Sequence, residues 1–266
     1  MTERIIPDKL ALENVHPRDA DISFEDGPHI YTVHGERGTY TSVTTWNHQH
    51  FEDFDADAII DKMMLGKNMK NPNYKYYGMT KEEIKIMWDK NRIEASGSGT
   101  QMHYDIERYY NDISVKNDSI EFQYFLDFAR DFSHLRPYRT EWMVYYEELK
   151  LSGSIDMLFE NPYDGTLLIY DWKRSKEIKW EDNFGKTAKT ECISHLPDTN
   201  FWHYSLQLNA YKMILEDKYG KTISGMFLVC LHPDNPSQSY ERIEVPHLKT
   251  EMAELVRQRK NLIENV

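Results

Sequence analysis

The chain has 266 residues, of which 40% are hydrophobic and 13% aromatic, enough for one large domain or a domain with an extension. Its net charge of −12, from 32 basic and 44 acidic residues, argues against a general nucleic-acid coat but leaves room for a local basic strip. Cys192 and Cys230 are the only cysteines, which excludes a disulfide scaffold, a four-cysteine zinc site and a four-cysteine iron–sulfur cluster. Two scattered cysteines suit a reducing, intracellular compartment. No apolar run long enough to span a membrane occurs, and the first residues lack the apolar block of a signal peptide.

In chain order, His29–Val33 and Thr39–Thr44 read as strands around Gly35-Glu36-Arg37-Gly38, an N-terminal hairpin. Phe51–Leu65 reads as a helix with Phe54, Ala58, Ile59 and Met63 near one face. Lys67–Met79, with Asn-Pro-Asn and three tyrosines, reads as a loop. Thr80-Lys81-Glu82-Glu83 has capping-box spacing ahead of a helix over Thr80–Asn91. Gly97-Ser98-Gly99-Thr100 is expected to interrupt that helix before a second one over Gln101–Asn111. A third follows over Glu121–Phe132, with Phe122, Phe125, Leu126 and Ala129 at helical spacing.

The pattern then changes to strands over Tyr138–Tyr146, Lys150–Phe159 and Thr166–Lys173. Arg174–Asn200 is a charged insertion. Phe201–Tyr219 is helical and stops at Gly220. Ile223–Leu231 is a buried strand, Gln238–Val245 a further one, and Thr250–Ile263 a terminal helix with Met252, Leu255, Val256 and Ile263 inward. The fold class expected is α/β (α+β): a central mixed sheet flanked by helices. An N-terminal hairpin and helical extension over 1–94 would pack on a core over 95–266.

Asp171-Trp172-Lys173 and Asp156 carry the chemistry. Asn161-Pro162-Tyr163-Asp164-Gly165 is a turn, and the midpoint of positions 156 and 171 falls inside it. In an antiparallel hairpin the two aspartates then stand nearly opposite, with Cβ atoms roughly 5 Å apart. Two bare carboxylates there repel, and a divalent cation removes the repulsion. Lys173, two residues on, points the same way as Asp171. Alone, Asp171 and Lys173 read equally as a salt bridge on a strand, but burying both in a central strand is costly without partners or a task.

His103 and Glu107, four apart, share a helix face, as do Gln207 and Tyr211. His103 offers a metal-ligating imidazole nitrogen and Glu107 a supporting carboxylate. Surface pairs on amphipathic helices are the plain alternatives. Arg174, Lys176, Lys179, Lys186 and Lys189 are interleaved with Trp180, Phe184, Phe201, Trp202, His203 and Tyr204, a mix that suits gripping a single strand or, for the aromatics, the core. Thr80–Asn91 and Arg174–Asn200 are expected to form a channel or arch over a threaded strand.

Together, Gly99-Thr100-x-x-His103-x-x-x-Glu107, Glu141, Gly153-x-Ile155-Asp156, Asp171-Trp172-Lys173-x-Ser175 and Gln207-x-x-x-Tyr211 resemble the PD-(D/E)XK nuclease superfamily, most closely its RecB-like exonuclease branch, the mitochondrial genome maintenance exonucleases among them. The resemblance covers roughly residues 95–230, with the motifs in the family's order. Tyr40–Trp46 looks like the Ser-Val-Thr entry ahead of the core in this branch. The resemblance implies a restriction-endonuclease-like core and one or two Mg²⁺ or Mn²⁺ ions held by His103, Asp156, Asp171 and the Trp172 backbone carbonyl. It further implies that Lys173 orients or activates the attacking water and that Glu107 supports the metal. Gln207 and Tyr211 would hold the lysine and the scissile phosphate, with Ser175, Arg174, Lys176 and Trp202 contacting substrate. Arg174 departs from the Thr often found after Asp-Trp-Lys in the family, which tunes strand contacts. The cysteine count selects the branch without an iron–sulfur cluster. The activity implied is metal-dependent hydrolysis of DNA phosphodiesters, at single-stranded DNA or DNA ends. The alternatives are a structure-specific endonuclease of the same fold and a catalytically inactive nucleic-acid-binding module.

Overall fold

The computed structural model describes residues 8–265. Its elements in chain order are α1 Lys9–Glu13, β1 Ile22–Glu25, β2 Ile30–Val33, β3 Glu36–Arg37, β4 Thr41–Ser42, α2 Val43–His48, α3 Ala56–Met64, α4 Lys81–Tyr110 and α5 Ile120–Asp131. There follow β5 Arg136–Tyr146, β6 Leu151–Glu160, β7 Leu167–Lys173, α6 Asn200–Tyr219, β8 Ile223–Cys230, β9 Glu241–Glu244 and α7 Lys249–Glu264.

The chain divides into two compact units, Met1–Phe51 with Met102–Val266, and Glu52–Gln101. This differs from a boundary near residue 94. β4 pairs in parallel with β6, and α2 packs on α6 and β6, so the N-terminal segment belongs with the larger unit.

Among the described residues of that unit, six strands form a mixed sheet, with helices supplying the rest of its core. β5 pairs antiparallel with β6 from Arg136↔Glu160 to Tyr146↔Leu151, occupying one edge of β6. The other edge is shared. β4 takes its start (Thr41↔Leu151, Ser42↔Ser152) and β7 its end (Met157↔Tyr170 to Glu160↔Leu167). β6 is therefore forked, and Gly153–Asp156 pairs with neither strand on that edge. β8 runs parallel to β7 along its whole length, and β9 closes the sheet antiparallel to β8.

Side chains alternate across β7 and β8. Leu167, Ile169, Met226 and Leu228 pack into one core with Leu206, Ala210 and Ile214 of α6, and Tyr170, Trp172, Phe227 and Val229 into a second with Ile106, Phe125 and Phe128 of α4 and α5. Leu228 and Phe128 are fully buried, so truncating either costs about 2–5 kcal/mol.

Three expectations are corrected near the N-terminus. Thr39–Thr44 does not return against β2. β2 instead pairs with β1 and with β3, which lies where a turn was expected. Val43 and Thr44 end the expected strand, but Ser42 Oγ accepts the Thr45 N–H at 3.0 Å and caps α2 there. α3 begins at Ala56, where Asp55 caps it, rather than at Phe51. Ile60 is its buried residue, while Phe54 is 72% exposed.

The fourth correction concerns Gly97 and Gly99. The Thr80–Glu83 capping box forms as expected, with the Thr80 N–H donating to Glu83 and the Glu83 N–H to Thr80 Oγ1. The helix it starts does not stop at the glycines but runs unbroken to Tyr110. Each glycine lacks a Cβ and adds backbone entropy, roughly 1 kcal/mol apiece against the helix, which is a weakening and not a geometric break. The later elements lie close to expectation, including the left-handed Gly220 that ends α6. Within the insertion the described structure is one 3₁₀ turn, Glu191–Ile193, and a bridge between Thr187 and Pro197. No helix among the described residues is long and apolar enough to cross a membrane.

Candidate metal centre

The fork in β6 and a break in β5 set the site. Continuing the β6–β7 register one step past Met157↔Tyr170 places Asp156 across from Asp171, as the turn-centred spacing requires. The ladder has ended there, and the Trp172 N–H donates instead to Asp156 Oδ2 at 2.9 Å. On the other side, the β5–β6 register skips one pair between Thr140↔Met157 and Trp142↔Ile155. The missing pair is Glu141 and Asp156. Glu141 has φ 43°, a left-handed conformation for a non-glycine in the middle of a strand. Such a residue costs about 1–3 kcal/mol and re-aims its side chain. Glu141, Asp156 and Asp171 thus occupy one row across three adjacent strands, with both backbone pairings along the row opened.

His103, on the first turn of α4 inside the larger unit, completes the cluster. Its Nδ1 lies 3.5 Å from Asp156 Oδ2 and 3.8 Å from Glu141 Oε1. Its Nε2 donates to the Trp172 carbonyl at 2.9 Å. Ser154 Oγ donates to the other Glu141 oxygen at 3.0 Å and fixes that carboxylate. His103, Glu141 and Asp156 each bring one ligand atom within 4.8 Å of the others. A nitrogen and carboxylate oxygens on converging side chains suit a small divalent cation.

The electrostatics reflect crowded acids. Burial pushes the Asp156 carboxyl above its usual range, and Glu141 beside it adds to that. Burial likewise raises Asp171, to about 6, against the pull of Lys173. His103 is pushed up to about 9, because Asp156 and Glu141 outweigh the burial that lowers it. Lys173 lies 2.5 Å from Asp171 Oδ2, and its ammonium sits 4.3 Å over the Tyr204 ring. Burial opposes its charge, yet Asp171 and Asp156 prevail and hold its pKa above the ordinary lysine value.

The sequence-expected residues fall into three groups. His103, Asp156, Asp171, the Trp172 carbonyl and Lys173 converge. Asp171, expected as a metal ligand, pairs with Lys173, and the three residues whose ligand atoms converge are His103, Glu141 and Asp156. Glu141 stands in the motif series but not among the expected ligands. Its aim depends on a backbone break that no residue pattern announces. Tyr204, expected only as a strand-gripping or core aromatic, packs on the Lys173 ammonium, a place its position three residues before Gln207 on the same helix face could have suggested.

Gln207 and Tyr211 sit one turn apart on α6, linked by a long 3.5 Å contact from Gln207 Nε2 to Tyr211 Oη. Gln207 and Lys173 line one cavity of about 350 Å³ with Thr44, His48, His203 and Tyr204. Tyr211 is buried against Gly153, where a Cβ would meet Cε1 at 2.7 Å and Oη at 2.8 Å. This close approach explains the glycine before Ile155-Asp156, and burial, then Tyr31, pushes the Tyr211 phenol well up. Glu107 lies one turn past His103, and its carbonyl accepts from Asn111, but it is not part of the ligand group.

The third group has its hydrogen-bond and ion-pair partners outside the cluster. Arg174 Nε donates to Glu121 at 2.8 Å, Lys176 pairs with Asp234 at 3.2 Å, and Ser175 Oγ donates to the Glu177 carbonyl. The Trp202 indole donates to the Trp180 carbonyl. No protein-family model matches the chain, and no curated protein matches it.

Proposed function

We propose that the chain is a divalent-metal-dependent deoxyribonuclease of the PD-(D/E)XK type, with a restriction-endonuclease-like core and an exonuclease's action on single-stranded DNA or DNA ends. The observation that carries the reading is the row Glu141–Asp156–Asp171 across three strands, capped by His103 and followed two residues on by Lys173. Three adjacent acids at one register destabilise an apo fold, and an opened ladder at that row leaves their oxygens free to converge.

His103, Glu141 and Asp156 would hold Mg²⁺ or Mn²⁺, with Asp171 and the Trp172 carbonyl beside them. When bound, the ion supplies Lewis-acid polarisation of the phosphoryl group and a water of lowered pKa. The protein's own residues do the rest. Lys173, held charged by Asp171, is poorly suited to take a proton and well suited to stabilise negative charge developing on the phosphate. Asp171 fixes that ammonium, and the Tyr204 face keeps it from swinging away. Gln207, on the wall of the same cavity, offers an amide to a phosphate oxygen or to substrate next to it. The Ser154–Glu141 bond and the Trp172–Asp156 bond each occupy an oxygen of a ligating carboxylate and so orient it.

Digestion of end-labelled and circular single- and double-stranded DNA, with Mg²⁺, Mn²⁺ or a chelator, tests the proposal. Metal-dependent loss of linear substrate supports it. Cutting of closed circles turns it toward an endonuclease, and no cutting with either metal removes it.

A further inference from the structure

Lys62 to Lys81 contains five lysines, Lys62, Lys67, Lys70, Lys75 and Lys81, and no Asp or Glu, in a chain whose net charge is −12. The segment belongs to the Glu52–Gln101 unit and shares no residue with the metal centre. Lys81 is neutralised by Asp61 at 2.6 Å and Asp57 at 3.1 Å. Lys67, Lys70 and Lys75 are exposed, and among the described residues no carboxylate lies within ion-pair distance of them. In the insertion expected to grip a strand, Arg174, Lys176 and Lys179 each have a carboxylate partner, while Lys186 and Lys189 form no ion pair among the described residues.

Aromatic rings stand among these lysines. The Trp88 indole donates to Tyr76 Oη at 2.9 Å and pins that ring. Tyr74 meets Tyr76 edge-on at 5.5 Å, and the Lys75 ammonium lies 5.3 Å over Tyr76. Tyr77 is 51% exposed. We propose that Lys67, Lys70 and Lys75, with Tyr74 and Tyr77, form a binding surface for single-stranded nucleic acid, the lysines meeting phosphates and the rings meeting bases. Charge complementarity selects a polyanion, and aromatic faces between the cations select one with exposed bases, because bases stack on such rings whatever their sequence. An acidic protein segment offers the charge without the flat partners.

The test is fluorescence anisotropy of a labelled oligothymidylate with the full chain in chelator, so that binding is read without cleavage and stands or falls apart from the nuclease proposal. Wild type is compared with the triple variant Lys67→Ala, Lys70→Ala, Lys75→Ala and, separately, with Tyr77→Ala. The triple variant should bind about tenfold or more weaker at low salt. Its plot of log affinity against log salt should flatten by about 2, from about 0.7 for each of three lost phosphate contacts. Lys→Arg at the same three positions should restore both. Tyr77→Ala should weaken binding about fivefold or more without changing the salt slope. Unchanged affinity and slope in the triple variant overturns the proposal. So does displacement of the oligonucleotide by polyglutamate of matched charge at equal concentration, which would make the surface a general anion or protein site.

Discussion

The Trp172 N–H donates to Asp156 Oδ2 at 2.9 Å, one register step beyond the last backbone pair of β6 and β7. A side chain has taken the place of a ladder carbonyl. The bond holds Asp156 at the fork of β6 and leaves the Trp172 carbonyl to His103. One residue of β7 is thereby tied to two members of the ligand group.

Asp156→Asn separates structure from metal binding. The amide oxygen still accepts the Trp172 N–H, while the charge disappears. Because burial and Glu141 raise the Asp156 pKa, its ionised form costs stability at neutral pH, so the metal-free variant should melt at or above the wild-type temperature. Saturating Mn²⁺ should stabilise the wild type by about 2.7 kcal/mol at a hundredfold excess over Kd and leave the variant nearly unmoved. Calorimetric melts with and without Mn²⁺ decide it, and full metal stabilisation of the variant would count against the ligand assignment.

Gly153→Ala should destabilise by about 1–3 kcal/mol in chemical denaturation, since the new methyl falls inside contact distance of the Tyr211 ring. Tyr211→Phe in the same chain should recover little, because Cε1 remains when Oη is gone. Substantial recovery by Phe would show that the hydroxyl alone is the obstacle.

The unbroken α4 makes Gly97 and Gly99 ordinary interior helix positions with open space around each missing Cβ. Replacing both by Ala should stabilise the chain by about 0.4–1 kcal/mol each. A fall in the denaturation midpoint would show that the glycines mark a real interruption.

His50 should contribute to acid sensitivity. Burial, then Arg259 and Lys189, lower its pKa to about 4, below the ordinary 6.5. The folded state thus binds fewer protons than the unfolded state between those values, so stability is present above 6.5 and is lost as pH falls toward 4. Stability measured against pH should lose up to one proton of slope in this window in His50→Gln. An unchanged slope would place the acid sensitivity elsewhere.

What the sequence made legible was whatever depends on spacing. The turn at Asn161–Gly165 fixes which β6 residue meets which β7 residue, so Asp156 and Asp171 could be aligned from residue numbers alone. The Thr80 capping box and the Gly220 stop act over a few residues and were equally readable. Glu141 was hidden because its role comes from a positive φ that breaks a ladder, a tertiary consequence of β5 crossing the row of acids. Arg174 and Lys176 looked available because their partners, Glu121 and Asp234, lie more than fifty residues away. The start of α2 was misread because the expected strand Thr39–Thr44 ran past Ser42, which caps the helix.

Lys173 carries the central claim, since its ion-pair partner is Asp171 and not His103, Glu141 or Asp156, and yet it should be indispensable to cleavage. The most direct measurement is the initial rate of end-labelled single-stranded DNA digestion in Mg²⁺ by wild type and Lys173→Gln, alongside Mn²⁺-induced thermal stabilisation of both. The account predicts metal-dependent digestion by wild type, a loss of about a hundredfold or more in the variant, and metal stabilisation retained. Digestion by Lys173→Gln at the wild-type rate, or none by wild type with either ion, would contradict it.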